Sequence, residues 1–558
     1  MTFLKRRAKS LNVADASRPH SGGIPCFSAV IKSIWLQCAW AGPRPCCKQM
    51  AAKPSSSKTL VGNPSMATLI DEVSKRIASG APFRQAPIVS QRLSIHVLDT
   101  IGAWIAGRAT REGHRLSLLR DTKTQSLAPL TRSTLDTIAL RVATARLSEV
   151  DDVHMPSCTT PGAIVVMTAL SLMADLADRA DAILFIDALH AGYEIMTRLG
   201  EAVSGPDILH KGIWPTYLLA PVTTAAVTAK LLGLDWERTA HALAIALSTS
   251  SGRPGGSVSG GVVGGAGTSA RWLLAGLAAK TGCIAALSAS KGFNGDRNFM
   301  DGEWPARSHG VTLQKDILLN VFDGQAAVLG TSIKPYCAAK HAIAAIDGFQ
   351  MLLKQGIPLD AVTKVVVKAP PVHAGMIGHH DVSLSRLSRI TSCSYNLALA
   401  AFWPDKLLDI ERTDAVTDPA VVEFAKKVEV LADPELARQC PQNYPATIDL
   451  FNNERIIASI AVSDALGDPA KPFDLDLARG KFRRLARGII RESLALHIEQ
   501  CCLDLNNPTA GPELAAIMTE IDNSLTPKTV ADHDREGMQN AGIISATELE
   551  RKDYGRVS

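Results

Sequence analysis

No uninterrupted apolar run reaches about eighteen residues, the length a membrane-crossing helix needs, so no such helix and no membrane partner are expected. Cysteine is sparse and poorly spaced: eleven occur in 558 residues, with adjacent pairs at Cys46-Cys47 and Cys501-Cys502 but no Cys-x-x-Cys. That argues against a disulfide framework, a zinc site or an iron–sulfur cluster. No metal and no cofactor are expected, in a reduced, intracellular compartment. His379-His380-Asp381 is a tempting cluster, but adjacent side chains seldom converge on one ion. Acids are missing from the N-terminal stretch, where Lys5, Arg6, Arg7, Lys9, Arg18, Lys32, Arg44, Lys48, Lys53 and Lys58 face Asp15 alone before Asp71. The net charge is +5 and the rest of the chain is near balance, which gives no reason to expect nucleic-acid binding. The glycine-rich Gly252–Gly267 stretch lacks a preceding strand and an acid at the dinucleotide-binding distance, which excludes a Rossmann reading.

What is present is a globular composition, 46% hydrophobic and 20% charged, on a chain too long for one core. Residues 1–65 are basic and aperiodic. They read as a disordered or presequence-like extension, with Met66 as a working start; the location is cytoplasmic, or mitochondrial if the segment is a presequence in a eukaryote. From Met66 the 3.6-residue period takes over, in MATLIDEVSKRIASG, RLSIHVLDTIGAWIAG and the small-residue helices beyond. Past Thr331 the texture changes. TKVVVKAP and KKVEVLAD are β-type runs, and ATIDLFNNERIIASIAVSD reads as a hairpin about Asn452-Asn453. The expected architecture is mainly α: a helical domain over 66–331, a smaller inserted α/β domain over 332–466, a helical return over 467–530 and a tail over 531–558.

The most chemically suggestive stretch runs from Glu149 to Leu170. Acids at Glu149, Asp151 and Asp152 lead through His154 and Cys158 to Thr160-Pro161-Gly162 and an apolar helix. Proline suits a first helical turn, Thr159 or Thr160 can cap it, and the free amides of a helix start favour a carboxylate. The bland reading is a capped helix behind a solvated acidic turn.

Several of these segments resemble the MmgE/PrpD family of 2-methylcitrate dehydratases, cis-aconitate decarboxylases and an iminodisuccinate epimerase. The likeness covers about 80–525 and rests on LDTIGAWIAG, the acid cluster before the Thr-Pro-Gly helix start, AGYEIMTRLG, AKLLGLDWE, KGFNGDRNFMDGE, IKPYCAAKHA, SCSYNLALA and GKFRRLA. It implies a large helical domain, a smaller α/β domain, an active site between them and a homodimer. The family's Asp-x-Asp-Asp-Thr is represented by Glu149-Val150-Asp151-Asp152-Val153, and its following His by Thr159. Its His-Pro-Thr is Trp214-Pro215-Thr216, and its helix-opening Lys is Arg271. Lys334 and Tyr395 match the family's Lys and Tyr; Lys340 or His341 stands near a family His.

Substrates of such enzymes are small polycarboxylates, and dehydration, decarboxylation and epimerisation all move a proton at a carbon beside a carboxylate. The expected catalytic set is therefore Asp152, His154, Lys340, His341 and Tyr395. Glu149, Thr159, Thr160, Arg271 and Lys334 are expected to bind substrate. The expected activity is that of a cofactor-independent hydro-lyase on a tricarboxylate such as 2-methylcitrate, with a decarboxylase, an epimerase or a non-catalytic dimeric homologue as alternatives. Arg271 and Lys334 are expected to repel each other in an empty site, so that removing either leaves the melting temperature unchanged or higher.

Overall fold

The computed structural model describes residues 67–82, 86–119, 133–176, 182–253, 258–259, 262–263, 268–380, 386–412 and 415–524. The extension over 1–65, the tail over 531–558, most of the glycine-rich stretch and Asp381 lie outside them.

The longer helices of the first part are α1 Leu69–Ser79, α2 Pro87–Arg108, α3 Thr134–Leu147, α4 Pro161–Leu176, α5 Ala182–Ala202, α6 Pro215–Leu231, α7 Trp236–Leu247 and α8 Ala270–Ser290. Their ends obey local chemistry. Thr68 and Asp71 form a reciprocal capping box at α1, and Ser133 and Asp136 do the same at α3. Pro87, Pro161 and Pro215 open their helices, and Gly80 and Gly292 follow α1 and α8 with positive φ. Helix α4 is buried on every face over Pro161–Met173, as its unbroken apolar text requires.

Helix α8 packs against α3, α6 and α7, and its small residues explain the fit. A Cβ on Gly276 would meet the Ala139 carbonyl oxygen at 2.0 Å, so the backbones touch there. By length and composition α8 is apolar enough to cross a membrane; a packed core helix of this kind has the same text. Its outer face leaves Leu277, Ile284 and Leu287 exposed.

The α/β part is built on a four-stranded sheet of β1 Lys364–Ala369, β2 Val428–Ala432, β3 Ala446–Asn452 and β4 Arg455–Val462, in the order β2-β1-β3-β4. β1 runs parallel to β2 and antiparallel to β3, and β3 and β4 form the hairpin about Asn452-Asn453. Helices α9 Lys340–Lys354 and α10 Cys393–Phe402 share with this sheet a core including Ile343, Phe349, Val365, Leu397, Ile448 and Leu450.

The chain then returns to the helical part through α11 Leu475–Ala486, α12 Glu492–Leu503 and α13 Ala510–Ser524. Helix α11 lies on α2, and its Lys481 is buried there. Its Nζ is 2.5 Å from Asp99 Oδ1 and donates to the Val150 carbonyl at 2.8 Å. Burial pushes the Asp99 carboxyl above its ordinary range, against the pull of Lys481. Lys481→Met leaves that acid without its cation, and is expected to cost about 3–5 kcal/mol of stability. An unchanged denaturant midpoint would show that this pair does not anchor the return.

Candidate active site

The C-terminus of α3 organises the junction between the helical and α/β parts. Four successive carbonyls there accept from side chains: Leu147 from Arg386 at 2.8 Å, Ser148 from the Cys337 thiol at 3.5 Å, Glu149 from Lys334, and Val150 from Lys481 at 2.8 Å. Glu149 holds a left-handed backbone, φ 59°, which turns its carboxylate back toward the cations. Its Oε1 accepts from Arg271 and from the Trp272 indole, each at 2.8 Å, while Arg146 stands 3.9 Å from Oε2. Arg146 also pairs closely with Asp151.

All five of these ionisable groups, Arg146, Glu149, Asp151, Arg271 and Lys334, are buried. Burial opposes the charge on Glu149, but Arg271, Arg146 and Lys334 outweigh it and hold the carboxyl down at about 2. The balance differs at Asp151, where burial prevails over Arg146 and Lys334 and pushes the carboxyl up to about 6. Burial also pushes the Lys334 ammonium below its ordinary value, against Asp151 and Glu149. The pair thus shifts in opposite directions, each toward neutrality, as proton exchange at a carbon acid requires.

The structure corrects several expectations here. Asp152 points to other partners than the cations. It accepts from Tyr193 at 2.8 Å and from the Gly162 amide at 2.7 Å, and its other contact is His96 Nδ1 at 2.9 Å. Asp152, rather than Thr159 or Thr160, therefore caps α4. A Cβ on Gly162 would lie 2.8 Å from both Asp152 oxygens, so this approach depends on glycine. Thr159 shares a 2.7 Å hydrogen bond with Ser157, and the Thr160 amide donates to Thr216 Oγ1 at 3.0 Å. His154 Nδ1 is 2.9 Å from Ser157 Oγ, and burial pushes its imidazole down to about 3, which leaves it neutral and part of the packing. Arg271 and Lys334 do converge, but on Glu149 rather than on open space.

The other three expected catalytic residues lie in the α/β part. Lys340 is buried in an ion pair with Asp468 at 2.5 Å. Tyr395 is buried in the core of that part, with its hydroxyl 3.5 Å from the Arg412 carbonyl. His341 lines a cleft of about 500 Å³ between the two parts, together with Cys158, Glu201, His210, His373 and Tyr444. The His341, His373 and Tyr444 rings pack with centroids 4.4–4.9 Å apart. Burial pushes His341 well below its ordinary range and His373 down to about 4.

Sequence reasoning did not select Asp151 or Arg146 for the site. Asp151 had a usable signal as a member of the same acid cluster as Glu149; Arg146, the i−3 neighbour of Glu149 at the end of α3, had a weaker one. Trp214 is placed by the same cluster. Its ring stacks on Tyr217 at 5.5 Å and lies beneath the Arg271 guanidinium, 4.3 Å from its centroid.

Comparison with known proteins identifies the family. The MmgE/PrpD N-terminal domain matches residues 76–312, and the MmgE/PrpD C-terminal domain matches residues 336–506. Human cis-aconitate decarboxylase is 27% identical over 223 residues, which is 38% of this chain. That match spans 44% of the relative's own length.

The Glu149 cluster makes stability depend on pH in a defined way. A carboxyl lowered from 4.5 to about 2 contributes stability above pH 4.5 that is lost as pH falls toward 2. Asp151, raised from 3.8 to about 6, contributes in the opposite sense: fully below pH 3.8, and progressively lost as pH rises through 6. Glu149→Gln should therefore abolish the loss between pH 4.5 and 2, and Asp151→Asn should flatten the profile between 3.8 and 6. Because Glu149 holds Arg271, Arg271→Met should lower the melting temperature, contrary to the sequence expectation of repulsion. Profiles that overlay wild type would remove the cluster from the stability of the fold.

Proposed function

The chain belongs to the MmgE/PrpD family, and we propose that it is a cofactor-independent hydro-lyase acting on a small tricarboxylate of the 2-methylcitrate type. The observation that carries this reading is the buried set of Arg146, Arg271 and Lys334 set against Glu149 and Asp151. Three cations against two acids leave positive charge to be neutralised, and Asp151 adds to it whenever it is protonated. A substrate carboxylate supplies the missing negative charge. In this reading the Arg271 fork orients that carboxylate, and Asp151 and Lys334 exchange the proton on the adjacent carbon. Loss of carbon dioxide is the second reading, supported by the similarity to a protein named cis-aconitate decarboxylase.

A polycarboxylate panel followed by proton NMR in deuterated water tests both readings. Water loss, carbon dioxide loss and epimerisation leave different products and different deuterium at the reacting carbon. Each charge-assisted contact contributes about 1.5–3 kcal/mol, about 10- to 150-fold in affinity. Arg271→Lys keeps the charge beside Glu149 but not the fork. It should bind substrate about 10-fold more weakly while melting near wild type. A panel with no turnover and no binding would instead leave a non-catalytic homologue.

A homodimer belongs to the same proposal. Leu277, Ile284 and Leu287 are 48%, 42% and 37% exposed along one face of α8, and the second copy is placed on that stripe. Light scattering should give twice the chain mass. Leu277→Glu combined with Ile284→Glu should give the chain mass with the helical content kept. A monomeric wild type at micromolar concentration rejects the assembly.

A further inference from the structure

Helices α12 and α13 bring together three side chains that the chemistry above does not use. His497 and Cys501 stand one turn apart on α12, and Glu513 faces them from the first turn of α13. His497 Nε2 is 3.0 Å from Glu513 Oε2, and the Cys501 Sγ is 3.5 Å from the same oxygen. Imidazole nitrogen, thiol sulfur and carboxylate oxygen all lie within 4.8 Å of one another. We propose that His497, Cys501 and Glu513 form a binding site for a thiophilic divalent cation of the zinc type, clasping the α12–α13 hairpin.

The donor set is one that zinc takes: one nitrogen, one sulfur and one carboxylate oxygen, with a fourth position open to water. Tetrahedral bonds of about 2.0–2.3 Å place neighbouring donors about 3.4 Å apart. The two edges to Glu513 are near that size, and the His497–Cys501 edge lies within 4.8 Å. His497 and Glu513 are half exposed, so the ion has a path, while Cys501 is buried at the base. Binding breaks the His497–Glu513 hydrogen bond. The Cys501 S–H gives its proton to solvent as the S–metal bond forms, and both other ligands bind through lone pairs.

Cobalt(II) added to the reduced full-length protein is the direct probe. The expected result is one equivalent bound, a thiolate-to-cobalt charge-transfer band, intense visible bands of a four-coordinate ion, and displacement of both by zinc. Zinc should raise the melting temperature, because it binds the folded hairpin. Cys501→Ser and His497→Ala should lose the bands. Absence of the bands in wild type overturns the site. So does their persistence in Cys501→Ser, which assigns the thiolate to another cysteine. Should Cys501→Ser fail to fold, the surface variant His497→Ala decides: unchanged spectra and affinity there overturn the proposal as well.

Discussion

The end of one helix fixes most of the tertiary arrangement. An α-helix finishes with carbonyls that lack intrahelical partners and with a partial negative charge. Helix α3 finishes inside the protein, where water cannot satisfy either. Arg386 reaches its last carbonyl, at Leu147, from the α/β part; Cys337 and Lys334 from the same part and Lys481 from the helical return reach the next three, at Ser148, Glu149 and Val150. Those cations then require acids of their own in a medium where an isolated charge is prohibitive. Asp99 answers Lys481, while Glu149 and Asp151 answer Arg146, Arg271 and Lys334. The charged cluster sits at the meeting of three chain regions because that is where the helix end had to be satisfied.

The fold was legible because its determinants are local. Apolar periodicity, Pro at helix starts, Gly at helix stops and the Asn452-Asn453 turn each act within a few residues, and the elements formed accordingly. Part of the candidate site was legible in outline: Glu149, Arg271 and Lys334 were each singled out, and these three meet. What failed was pairing at long range. Lys340 finds Asp468, 128 residues on, and Arg271 finds Glu149, 122 residues back; no spacing rule encodes either. Asp152 was chosen over Asp151 because the family resemblance supports an acid there, and nothing in the sequence distinguishes which of two adjacent acids faces the cations. The His497–Cys501 spacing was visible as one helical turn, but Glu513 joins it across a hairpin.

Three positions that are polar in the family pattern are Val153, Thr159 and Trp214 here, and the structure gives each a packing role. Val153 exchanges backbone hydrogen bonds with Ser332 at 2.9 and 2.8 Å, Thr159 is tied to Ser157, and Trp214 covers Arg271. An imidazole at Thr159 or Trp214 would have brought a titratable nitrogen to this junction. In the proposed chemistry that basicity has to come from Lys334 and Asp151, whose displaced pKa values arise from burial.

That dependence links catalysis to rigidity. Lys334 lies two residues beyond Ser332, whose bridge to Val153 joins the two parts, and Cys337 and Arg386 hold the two carbonyls just before the one that Lys334 holds. Swinging the α/β part away would break those hydrogen bonds, uncover the cluster and let water return the Asp151 carboxyl and the Lys334 ammonium to ordinary values. A displaced proton-transfer pair and an open junction cannot coexist. The groups proposed to move the proton keep their unusual strengths because the contacts that anchor the α/β part exclude water from them, so the chemistry and the docking of the two parts rest on the same hydrogen bonds.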